Sequence, residues 1–97
     1  MKAWQLIEKG WNQNQVALDK NGDNINVPSD EAVSWCALGA IWHLYSDNRG
    51  DMEILVDNVV TKRYPQYNGY LFPTLAFNEE EGRTQAEVLE VFKEADV

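Results

Sequence analysis

Apolar residues Ala3, Trp4, Ile7 and Trp11 recur at helical spacing, with Leu6 widening the stripe and Glu8 and Lys9 opposite. The pattern predicts a short N-terminal helix within Met1–Trp11. Gly10 is its expected stop, through the left-handed conformation that glycine adopts readily. Next, Val16, Ala17 and Leu18 precede Asp19-Lys20-Asn21-Gly22-Asp23, and Ile25 and Val27 then alternate with polar residues. Asn-Gly between such runs predicts a small β-hairpin near residues 15–27, closed by a type I′ turn with positive φ at both central residues. From Ala32 to Tyr45 the chain is apolar on nearly every helical face, as in a helix buried all round, with Ser29 or Asp30 as its cap. Cys36, Ala37, Gly39 and Ala40 are small there, and Gly39 costs a helix about 1 kcal/mol against Ala, which implies a packing reason.

A second long helix is expected from Asp51 to Tyr64. Met52, Leu55 and Val59 share a face with Val56 and Val60 beside them, and Pro65 ends it. Gln66–Thr74 reads as an aromatic loop, and Leu75–Thr84 as a brief helical turn before Gly82. Thr84 and Glu87 fit a reciprocal capping box opening a last helix with Val88, Val91, Phe92 and Ala95 as its stripe. The expected architecture is mostly α: one domain over residues 1–97, about four helices around a central apolar helix, with a small hairpin.

Composition narrows the function. Hydrophobic residues make up 44% and aromatics 11% of 97 residues, enough to build a core at a size that buries roughly 65% of the unfolded surface. The net charge is −8, and the eight bases are scattered, which argues against direct nucleic-acid binding. The N-terminus shows no secretory pattern and no apolar run approaches the roughly 20 residues of a membrane span, so a cytoplasmic protein is the simplest expectation.

Candidate chemistry is sparse. Cys36 and His43 are the only Cys and His, and a helix would hold them about 10 Å apart, beyond the reach of a nucleophile–base pair. One Cys and one His do not make a structural zinc site, and nothing in the spacing calls for a metal or cofactor. Asp19, Asn21 and Asp23 occupy the first, third and fifth places of a calcium loop, but the sixth is Asn24 instead of Gly and the twelfth is Asp30, so a plain turn is favoured. Arg49-Gly50-Asp51 reads as a loop leading into a helix. Glu53 and Asp57, and Glu87, Glu90 and Glu94, read as solvated faces. Tyr64, Tyr67, Tyr70 and Phe72 either fold over the core or present aromatics to a partner.

Trp35-Cys36-Ala37-Leu38-Gly39-Ala40, with the later Asn78, Gly82, Arg83 and Thr84, resembles a family of small uncharacterised bacterial and phage proteins. Its members show an N-terminal helix, an acidic-Gly turn, a W/Y-C-A-L-G-A helix and an N-D-x-x-G-R-T segment before a final helix. Glu79 stands where Asp is commoner. The resemblance implies the fold, no transferable activity, and a structural or binding role for Asn78 and Arg83. Two functions follow as expectations. The first is a non-enzymatic module that meets a basic protein through its acidic face, including Glu79, Glu80 and Glu81, and the aromatic loop. A phage or mobile-element inhibitor of a host defence complex is one form of it. The second is a small-molecule binder or enzyme with a pocket near Asn78 and Arg83.

Overall fold

The Thr84–Glu87 box forms as the spacing requires: Thr84 N donates to Glu87 Oε1 at 2.9 Å, and Glu87 N donates to Thr84 Oγ1 at 3.2 Å. It opens a helix at Gln85–Ala95 that buries Val88, Val91 and Phe92. The computed structural model describes residues 1–97. In chain order the elements are α1 (Ala3–Lys9), β1 (Ala17–Leu18), β2 (Ser34–Trp35), α2 (Ala37–Leu44), α3 (Arg49–Arg63), a 3-10 turn (Pro65–Tyr67), α4 (Pro73–Glu79) and α5 (Gln85–Ala95). α1 packs on α5 and α2, while α3 packs on α2, α4 and α5. Ile7, Ile41, Val56, Val60, Phe77 and Phe92 are among the fully buried residues of one core. No helix is long and apolar enough to cross a membrane.

The two-stranded antiparallel sheet joins β1 to β2, with Ala17 opposite Trp35 and Leu18 opposite Ser34. The chain does reverse at Asn21-Gly22, where a bridge pairs Leu18 with Asn24. That turn is not type I′. Gly22 has φ +82° and Asn21 does not adopt positive φ, because the Asp19 carboxylate holds the turn by accepting from Asn21 N at 2.9 Å and Asp23 N at 3.0 Å. The β1 partner therefore comes from beyond the turn. Trp35 is also gripped on its other side: its N–H donates to Gly10 O and its carbonyl accepts from Asn12 N.

This pairing shortens the central helix. Ser34 and Trp35 are strand, so α2 begins at Ala37 and not at Ala32, and its N-cap is Cys36 and neither Ser29 nor Asp30. Cys36 Sγ accepts from Gly39 N at 3.3 Å. Nor is α2 buried all round. Ala37, Gly39, Ala40 and Ile41 are buried, but Leu38 and Trp42, one turn apart, are only partly covered. Gly39 has the packing reason its cost implied: a Cβ there would lie 1.8 Å from Val16 O. Gly10 ends α1 for a similar reason, and not by a left-handed turn. Its φ is −173°, and a Cβ would sit 2.3 Å from Val33 O.

In α3 the buried residues are Val56 and Val60, with Met52 and Val59 half-buried, whereas Leu55 turns to solvent. The helix starts two residues earlier than expected, so Arg49-Gly50-Asp51 lies in its first turn. Lys62 and Arg63 at its end reach Glu94 and Glu90, which ties α3 to α5.

Candidate functional site

Asn78 sits at the end of α4 with 1% of its surface exposed. A buried helix N-terminus needs acceptors for its free N–H groups. Asn78 Oδ1 supplies one to α2, accepting from Ala37 N at 3.0 Å, and also accepts from Trp11 Nε1 at 2.7 Å. The free carbonyls at the end of α4 are met in the same place. Gln13 Nε2 donates to Asn78 O and to Glu80 O, both at 2.9 Å, and Arg83 Nε donates to Phe77 O at 2.8 Å. Glu79 clasps Asn14 N with both carboxylate oxygens, at 2.9 and 2.8 Å.

Arg83 is the second centre of this latch. Besides Phe77 O, its guanidinium donates to Tyr67 Oη at 2.8 Å and pairs with Glu87 at 3.2 Å. It stacks 4.0 Å from the Phe77 ring centroid and 5.0 Å from that of Tyr64. Tyr67 in turn donates to Glu80 Oε1 at 2.9 Å. Asn78, Glu79, Arg83, Tyr64 and Tyr67 are thus turned toward one another and away from solvent, while Glu80, exposed itself, is tied to them through Tyr67. Neither of the two surface cavities is lined by Asn78 or Arg83. The remaining candidates, Tyr70, Phe72 and Glu81, are exposed, and so is Leu71 between the two aromatics. The aromatic loop therefore divides: Tyr64 and Tyr67 fold in, Tyr70 to Phe72 stand out.

Phe72 borders a groove of about 270 Å³ lined also by Leu38 and Trp42 of α2, Glu53 and Asp57 of α3, and Thr74 and Leu75 of α4. Its apolar floor is the uncovered face of α2. Its acidic wall is α3. Trp42 Nε1 donates to Glu53 Oε1, and Thr74 donates to Asp57 Oδ1 from both its hydroxyl and, at 3.1 Å, its backbone N. Each carboxylate is thus oriented by one oxygen, and neither is in an ion pair. Arg49 lies over the Trp42 ring, 5.0 Å from its centroid. The second cavity, about 450 Å³, is walled by Asp19, Lys20, Asn21, Asp30 and Glu31, with Val33 its one apolar residue.

A sequence profile described as a family of unknown function, DUF6197, matches residues 2–96. The chain belongs to that family. No curated protein and no solved structure matches it.

In this DUF6197 chain the residues that carry the resemblance, from Trp35 to Ala40 and from Asn78 to Thr84, meet in the latch: Asn78 oxygen touches the start of α2, and Thr84 starts α5. The groove residues Leu38, Trp42, Glu53, Asp57, Thr74 and Leu75 are the ones that sequence reasoning did not assemble. Two signals for them were present: an apolar pair four apart on a helix apolar all round, and a carboxylate pair four apart on the next helix. What brings them together is the α2–α3 packing, which no local pattern records.

Cys36 and His43 sit at opposite ends of α2. Burial pushes the Cys36 thiol up, against the thiolate, and burial lowers His43, with Asp30 opposing. His43 packs edge-on to Trp35 with ring centroids 5.5 Å apart. Burial, then the bond to Glu80, raises Tyr67. The Thr84 backbone N–H lowers Glu87 most.

Proposed function

We propose that this protein is a non-enzymatic binding module that engages a protein partner through the Phe72 groove and the exposed Tyr70–Phe72 segment. The observation that carries this reading is the uncovered apolar face of α2 beside Leu71 and Phe72, which are 84% and 62% exposed. Scattered exposed apolar residues are ordinary, but contiguous ones rimmed by polar groups mark interaction surfaces. The volume favours a protein over a metabolite. About 270 Å³ falls below the roughly 300–1,000 Å³ of small-molecule sites, and the larger cavity is walled by charge where such sites are mostly apolar. The polar groups of Asn78 and Arg83 are occupied within the chain, which removes the support for a ligand there. An inhibitor of a host defence complex is one form this module could take, resting on size and acidity alone.

The test compares immobilised wild type, Phe72→Asp and Glu81→Gln in extracts of the source cell. The expected result is a partner retained by wild type and Glu81→Gln and lost with Phe72→Asp. Equal retention by all three would overturn the reading.

A further inference from the structure

We infer that the occupant of the groove is a basic amphipathic helix of the partner, which inserts an apolar side chain between Leu38, Trp42, Phe72 and Leu75 and places Lys or Arg against Glu53 and Asp57. This rests on the protein-binding reading and adds the chemistry of the partner. Three observations converge. The floor of the groove is apolar and the space suits a side chain. Its wall carries two carboxylates four residues apart on α3, so their side chains are neighbours about 5–6 Å apart at Cβ. Two cations one turn apart on a partner helix have the same spacing.

The carboxylates are also held ready. Trp42 fixes one oxygen of Glu53 and Thr74 fixes one oxygen of Asp57, and neither carboxylate forms an ion pair within the chain; Arg49, one helical turn before Glu53, is stacked on the Trp42 ring. By contrast, the carboxylates Glu87, Glu90 and Glu94 on α5 are each paired with an arginine or lysine of the chain. Charge also decides between occupants. A second copy of this chain would bring another net −8 to an acidic wall, and nucleic acid or an anionic lipid surface would meet the same repulsion.

The experiment is an NMR titration of the ¹⁵N-labelled full chain with three synthetic peptides of about 14 residues. One has Leu on one helical face flanked by Lys. The second replaces Lys with Glu, and the third replaces Leu with Ser. The expected result is saturable shifts of the Trp42 indole N–H and of the Leu38 and Leu75 amides with the Leu/Lys peptide only. Glu53→Gln with Asp57→Asn, which keep the acceptors for Trp42 and Thr74, should weaken that binding about ten-fold or more. Phe72→Ser, at an exposed position, should weaken it while changing the spectrum of the free protein only at residues around the groove.

Equal binding of the Leu/Glu peptide would overturn the charge assignment, and equal binding of the Ser/Lys peptide would overturn the apolar anchor. Shifts centred away from Trp42, or none with any peptide, would overturn the inference outright. A cellular partner still lost with Phe72→Asp in that case would leave the protein-binding reading standing.

Discussion

Asn78 shows how one residue can look like a binding group and act as a fastener. Its amide oxygen is the acceptor for a backbone N–H 41 residues away and for an indole N–H 67 residues away. Replacing Asn78 with Ala leaves those donors without a partner, and each buried unsatisfied group costs about 1–3 kcal/mol. The expected loss is about 2–3 kcal/mol, a fall of roughly 10–20 °C in Tm by calorimetry. A loss below about 0.5 kcal/mol would mean that the latch is not a structural centre. The sequence marked Asn78 and Arg83 as residues with a role, through the resemblance. It could not say that their partners lie inside the chain, because Trp11 and Gln13 reach Asn78, and Tyr67 reaches Arg83, only through tertiary contact.

At the scale of elements, local chemistry was legible where the reason for an element was local. The α5 cap, the end of α3 before Pro65 and the reversal at Gly22 all rest on neighbours in sequence. The start of α2 was not legible. Ser34 and Trp35 are drawn into a strand by Leu18, Ala17 and Gly10, which override their helical setting. Gly39 tests that close packing. In an open helix Gly→Ala gains about 1 kcal/mol, but here the new Cβ meets the Val16 carbonyl oxygen. Gly39→Ala should therefore destabilise by about 2 kcal/mol, measured by urea unfolding. A stabilised variant would contradict the close approach of Val16 to α2.

The helix ends also set an acid limit. Glu87 is held below its ordinary range by the Thr84 backbone N–H, so its contribution is present above about pH 4.3 and is lost as pH falls through its lower folded value. Burial lowers His43, so the fold favours its neutral ring. That contribution is full above about pH 6.5 and shrinks as pH falls toward the folded value. Relative to wild type, His43→Gln should flatten the stability profile just below neutrality, and Glu87→Gln should flatten it below about pH 4.3. Urea midpoints across pH 7 to 3.5 read both, and unchanged slopes would remove these assignments.

Across the whole molecule, charge is unevenly compensated. Ion pairs join α3 to α5 and the N-terminal segment to Asp96, while the acidic wall of the groove has none. A surface of this kind steers a basic partner and loses its pull with salt, since the screening length falls from about 10 Å at 0.1 M to about 3 Å at 1 M. Phe72→Ser should leave the unfolding free energy within about 0.5 kcal/mol of wild type, yet weaken partner binding. Stability and binding would then be carried by different residues, the latch and the groove.

That separation is tested most directly by photo-crosslinking in the source cell. A benzophenone amino acid is placed at Leu71 in one variant and at Glu81 in another, both exposed and on opposite sides of the division between groove and latch. The account predicts a discrete partner adduct from position 71 and none from position 81. An adduct from position 81 alone would contradict it and return function to the Asn78–Thr84 segment.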